Sequence, residues 1–71
     1  MSDALGAMTD FNKAIEINPN YLEAYSNRAF AKYSLKDLTG AIEDCEKALK
    51  LNPNYEKALN LKAKAQKELQ K

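Results

Sequence analysis

The tetrapeptide Asn18-Pro19-Asn20-Tyr21 recurs as Asn52-Pro53-Asn54-Tyr55. Pro53 less Pro19 is an offset of 34 residues. A fixed period of this size marks a stacked repeat, in which each unit is one supersecondary element that cannot bury its apolar face alone. That restricts the fold before composition is considered.

The correspondence extends well beyond the turn. Reading backwards at the same offset, Asp3 matches Asp37, Gly6 matches Gly40, Ala7 matches Ala41 and Met8 matches Ile42. Asp10 matches Asp44, Lys13 matches Lys47, Ala14 matches Ala48, and Ile15 and Ile17 fall on Leu49 and Leu51. Reading forwards, Ala24 matches Ala58, Ala29 matches Ala63, Ala31 matches Ala65 and Leu35 matches Leu69. Residue size stays in step across two whole segments, so the repeat lies in the packing as well as in the turn.

Within each segment the apolar period is helical. After Asp37, apolar residues fall at Leu38, Ala41, Ile42, Cys45, Ala48 and Leu49, the i, i+3, i+4, i+7 pattern of one buried face. The N-terminal segment does the same with Leu5, Met8, Phe11, Ala14 and Ile15. Between Tyr21 and Leu35 there are two stripes, Leu22, Tyr25, Ala29 and Tyr33 on one and Ala24, Ala31 and Leu35 on the other, so this helix packs against two neighbours. The last segment carries Tyr55, Ala58, Leu59, Leu61, Ala63, Ala65 and Leu69 among many lysines. Proline lacks an amide hydrogen and pushes the preceding residue out of the α region, so helices end near Ile17 and Leu51. Asn18 and Asn52 are placed to cap the helices that follow, with proline in the first turn, and Lys36-Asp37 makes a tighter break. The spacing predicts four helices near 3–17, 20–34, 38–51 and 54–70. No stretch alternates as a strand would.

The chain has 71 residues and makes one small domain, whose core at this size rarely supplies more than about 3–5 kcal/mol without staples. One cysteine forms no internal disulfide, there is no histidine, and no secretory signal is visible, which points to a reducing, cytoplasmic setting. The apolar runs are too short to cross a membrane. A net charge of +1 gives no global electrostatic case for nucleic acid.

These residues together resemble a tetratricopeptide repeat protein over almost the whole chain. The resemblance implies an all-α fold of antiparallel helix–turn–helix repeats, an α-solenoid. One complete repeat runs from about Leu22 to Tyr55, with its helix pair in residues 20–51. Residues 3–17 form a half repeat, a second-type helix, and 54–70 a terminal capping helix, all in one domain, 1–71. The family's small positions fall on Ala29, Ala41 and Ala48, its large aromatic on Tyr25 and its turn proline on Pro53. Two departures stand out. Arg28 takes a position usually held by leucine, where its stem can lie along the core with the charged head snorkelling outward. Cys45 takes a position that favours a bulky aromatic, its repeat-mate being Phe11; a buried cysteine acts as a small hydrophobe and leaves that helix pair less filled.

By resemblance, the chain binds a peptide or partner protein in a groove lined mainly by the first helix of each repeat. It is similar to a co-chaperone subgroup that clamps acidic C-terminal tails. The stretches Tyr25-Ser26-Asn27-Arg28-Ala29 and Glu43-Asp44-Cys45-Glu46-Lys47-Ala48-Leu49 carry that likeness. Asn27 matches the clamp asparagine and Lys57 a clamp lysine, while the clamp arginine falls at Leu61 and is missing. Two of five clamp positions are therefore present.

On the last helix Lys57, Lys64, Lys67 and Lys71 recur on one side, with Asn60 on the same stripe. This stripe can attract an acidic peptide; it can equally be a solvated face on a capping helix. Phe30 is either an aromatic anchor for a ligand or a packing residue, and Tyr33 is read as packing. Candidate peptide-binding residues are thus Asn27, Phe30, Lys57, Asn60 and Lys64. Cys45 lies on an apolar stripe with no base to activate it, so its role is structural. Asp10, Glu43 and Asp44 are read as helix-exterior carboxylates beside lysines, without metal-ligand spacing. No catalytic, cofactor or metal site can be assembled, and an enzyme is not expected.

The helices run second-type, first-type, second-type, first-type. Each end therefore shows a face that the family normally buries, and the two ends are complementary. This leads to a second expectation: homo-oligomers formed head to tail, as symmetric dimers, or by exchange of terminal helices, making the chain a self-assembly unit.

Overall fold

The computed structural model describes residues 4–70 and contains four helices: α1 (Ala4–Ile17), α2 (Leu22–Ser34), α3 (Leu38–Leu51) and α4 (Glu56–Leu69). Asp3 and Lys71, and with them the outer limits of the expected first helix, lysine stripe and domain, lie outside the described residues. Each helix packs on its sequence neighbours, and α2 also touches α4. The result is the expected all-α helical repeat.

The repeated turn is built twice in the same way. Asn18 N–H closes α1 on Ala14 O at 2.9 Å, and Asn52 N–H closes α3 on Ala48 O at 2.9 Å. Each asparagine carbonyl then accepts from the tyrosine three residues on, Tyr21 at 3.0 Å and Tyr55 at 3.1 Å. Each Asn Oδ1 accepts from the amide two residues on, Asn20 and Asn54, both at 3.1 Å. Proline sits second in the turn, where its fixed φ is already correct. The expected capping is corrected here. The asparagine side chains organise the turn instead of starting the next helix, so α2 and α4 begin two residues later than the spacing predicts, after Tyr21 and Tyr55, which supply no side-chain cap.

The α2–α3 joint is tighter. Lys36 N–H bonds to Tyr33 O at 3.0 Å and Asp37 N–H to Lys32 O at 2.9 Å, a Schellman closure. Lys36 takes the left-handed conformation this requires, with φ 69°. Asp37 then caps α3, accepting from Gly40 N–H at 3.0 Å. A Cβ at position 40 would overlap that carboxylate, so glycine is what lets the cap close.

The core is one cluster of Tyr25, Ala29, Cys45, Ala48, Ala58 and Leu61, with Ile15, Leu22, Tyr33, Leu49 and Tyr55 packed around it. Ala29, Ala41 and Ala48, the family's small positions, are fully buried. Alanine at these crossings lets helix backbones approach closely, as a repeat of short helices requires.

Candidate functional site

The five candidate residues divide between two helices, Asn27 and Phe30 on α2 and Lys57, Asn60 and Lys64 on α4. All five are exposed, and α2 and α4 pack together. Phe30, left open between ligand anchor and core, is 44% exposed, so it is a surface aromatic. Tyr33 is half-buried against the core and donates its hydroxyl hydrogen bond to Glu68, tying α2 to α4; that bond pushes the phenol's pKa upward. Among the described residues neither Lys57 nor Lys64 is held in an ion pair. Their charge is available to a partner.

Leu61, at the missing arginine's position, is buried in the core cluster beside Ala58. A guanidinium there would have to displace packed alanine and tyrosine. This surface is thus armed with lysines and amides, not with arginine.

Two expectations are corrected behind this surface. Asp44 is not on a helix exterior: it is 2% exposed. Arg28 does not snorkel outward either. Its Nε donates to Asp44 Oδ2 at 2.8 Å and its Nη2 to Asp44 Oδ1 at 2.7 Å, while Nη1 donates to Asn12 Oδ1 at 2.8 Å. Lys32 Nζ completes the group, 3.1 Å from Asp44 Oδ2. A buried carboxylate needs such partners, because an unpaired charge in a low-dielectric interior is very costly. The hydrogen bond to Asp44 raises the Arg28 pKa further above its ordinary value. The network joins α1, α2 and α3 through Arg28, the residue that follows Asn27 in the chain. A signal for it was present: Asp44 falls three residues after Ala41 and four before Ala48, on the buried stripe, and Arg28 replaces an expected apolar residue.

Tyr25 supports the same region. Its hydroxyl donates to Pro19 O at 2.8 Å, and Arg28 and Lys47 stand 5.7 and 5.9 Å from its ring centre. A cavity of about 220 Å³ lies beside it, lined by Pro19, Tyr25, Lys47, Lys50 and Leu51, away from the candidate residues. Cys45 is fully buried, and burial pushes its thiol pKa up to about 11, with the Asp44 charge adding to the effect. A neutral thiol of this kind is a packing group. Among the described residues no His, Cys, Asp or Glu cluster is able to hold a metal. Among the described residues no helix is long and apolar enough to cross a membrane.

Known proteins share this arrangement. The family profile described as "Tetratricopeptide repeat" matches residues 22–55, and one described as "TPR repeat" matches residues 6–36. No curated protein matches the chain significantly. Among solved structures, the chain is similar to "First TPR of Spaghetti (RPAP3) bound to HSP90 peptide SRMEEVD", with a TM-score of 0.87 and 36% identity. The match covers 90% of this chain and 51% of that one, so this chain spans about half its length. With its turns, its small crossing residues and its helix pairing all accounted for, the chain is a protein-interaction module that belongs to the tetratricopeptide repeat family.

Proposed function

We propose that the chain binds an acidic peptide, or an acidic segment of a partner protein, across the exposed surface of α2 and α4. One observation carries this reading. On two adjacent first-type helices, Asn27, Phe30, Lys57, Asn60 and Lys64 are exposed, and the two lysines have no intramolecular carboxylate partner among the described residues. The likeness to a domain bound to the peptide SRMEEVD, itself rich in carboxylates, supports it. Buried Leu61 supplies no arginine for a terminal carboxylate, so lysine charge, amide hydrogen bonds and Phe30 contact carry the affinity. The role is binding, without catalysis, in the reducing, cytoplasmic setting that a buried, reduced cysteine suits.

The test is a titration with SRMEEVD, free and C-terminally amidated, followed by fluorescence anisotropy or calorimetry. Binding that weakens several-fold in Asn27→Ala and Lys57→Ala supports the surface. Loss on amidation adds a terminal-carboxylate clamp, and equal binding of both forms rejects the clamp. No binding of either form removes acidic peptide recognition.

A second reading is favoured by a different observation. Leu59 and Leu69 on α4 are 44% and 50% exposed, and Leu5 on α1 is 68% exposed. Apolar side chains left open on the first and last helices support association between copies of the chain.

A further inference from the structure

Glu43 and Glu46 of α3 stand four residues before Lys47 and Lys50, the spacing at which a helix pairs opposite charges. Among the described residues neither pair forms. Glu46 lies 3.5 Å from Lys62 of α4 instead. Lys47 Nζ stands 5.9 Å from the centre of the Tyr25 ring on α2. Both lysines are exposed, and both line the cavity of about 220 Å³ beside Pro19, Tyr25 and Leu51.

The lining is of two kinds. The Tyr25 hydroxyl donates to Pro19 O at 2.8 Å, which locks two of the lining residues to one another. Leu51, 41% exposed, adds an apolar side chain. Against this proline, tyrosine and leucine stand two ammonium groups with no carboxylate partner among the described residues. Sites for whole small molecules run from about 300 to 1,000 Å³. This cavity falls short of that range and suits a single side chain. A second hollow of about 430 Å³, lined by Glu43, Glu46, Lys47 and Lys50, shares both lysines with it. It leaves room beside the lysines for the backbone that carries such a side chain. Glu43 is outside any ion pair among the described residues, so a run of acidic residues meets repulsion there and a single one does not.

The cleft does not depend on the ends of the chain. Its lining comes from residues 19–51, and α1 and α3, one repeat apart, do not pack on each other. A helix one repeat beyond α3 would likewise leave this cleft open.

We propose that the cleft is a second binding site, separate from the α2–α4 surface, for a short segment of a partner protein with an apolar residue beside a single acidic one. The apolar side chain enters between Pro19, Tyr25 and Leu51, and its neighbour's carboxylate meets Lys47 and Lys50. Burial of the apolar side chain supplies most of the affinity, and the lysines select the neighbour.

The probe is the blocked peptide acetyl-SLES-amide, added to the isotope-labelled full chain up to about 10 mM and followed by NMR. The amide shifts should centre on Tyr25, Lys47, Lys50 and Leu51. Lys47→Gln and Lys50→Gln should each weaken binding about two- to fivefold, the size of an exposed ion pair. Replacing the peptide's leucine, as acetyl-SAES-amide, should weaken it about tenfold. Lys57→Ala should leave it unchanged, and circular dichroism checks that every variant keeps its helices. No shift at the cleft, or shifts confined to the α2–α4 surface, overturns the proposal and leaves recognition by that surface standing. Equal binding of the alanine peptide, or binding that weakens in Lys57→Ala and not in the α3 lysine variants, overturns it too. Binding of the probe at the cleft with no binding of SRMEEVD at α2 and α4 supports the cleft and removes the other reading.

Discussion

Arg28 and Asp44 close on each other through two parallel hydrogen bonds, Nε to Oδ2 at 2.8 Å and Nη2 to Oδ1 at 2.7 Å, with the carboxylate side chain 3% exposed. The pair spans the central crossing of α2 and α3, and Asn12 ties the same guanidinium to α1. Two-pronged geometry adds orientation to distance at the crossing of α2 and α3.

Arg28→Met removes the strongest partner of a buried carboxylate. The expected loss is about 3 kcal/mol, comparable to the whole stability of a domain this size. Arg28→Met combined with Asp44→Leu recovers much of that loss, because no buried charge is left unpaired. Urea unfolding of both single variants and the double variant, read as a double-mutant cycle, measures the coupling. Additive effects would contradict the pairing.

Leu61→Ala opens a cavity in the only core cluster formed by the described residues and costs about 2–4 kcal/mol. Leu61→Arg, which would restore an arginine of the clamp type, costs at least as much, because a charge replaces a packed apolar side chain. It is therefore expected to unfold the domain before it strengthens peptide binding. Circular dichroism and denaturant titration decide this, and a folded Leu61→Arg protein would show that the position opens to the surface.

Cys45 has its pKa raised from an ordinary 9.0 to about 11. A group whose folded pKa is raised contributes stability in full below its unfolded pKa and loses it as pH rises through the folded value. The contribution of Cys45 therefore falls between about pH 9 and pH 11. Stability measured against pH should drop more steeply in this window for the wild type than for Cys45→Ala. At neutral pH a thiol reagent should label Cys45 no faster than the protein opens, and rapid labelling of the native state would refute its burial.

Lys36 is a non-glycine residue at φ 69° in the Schellman closure of α2. Lys36→Gly removes the steric cost of the left-handed region and gains about 0.5–1 kcal/mol despite the greater freedom of glycine in the unfolded chain. A thermal midpoint raised by a few degrees is the expected reading.

Much of this protein is visible in its amino acids because the informative signals are local. The proline turns set where α1 and α3 end, and the bounds of α3 follow from Asp37 and Pro53. Alanine at positions 29, 41 and 48 marks the close crossings, since only a small side chain suits all of them. The starts of α2 and α4 are less visible. An asparagine side chain can serve the turn or the helix, and the choice depends on which backbone amide it meets first. The exposure of Lys57, Asn60 and Lys64 is legible from spacing alone, because charged and amide side chains on the polar stripe of α4 stay in water. That of Phe30 is not, since an aromatic residue satisfies either a surface or a core.

The sequence by itself determined the repeat, its period and the identity of the crossing residues, because these rest on spacing and side-chain size along the chain. Only the tertiary structure decided that Asp44 is buried, that Arg28 turns inward to meet it, that Leu61 closes the core and that Phe30 faces outward. The reason is the same in each case. Whether a charge can be buried, or an aromatic ring exposed, depends on which partners other helices bring within a few ångströms, and residues that meet across helices are far apart in the chain.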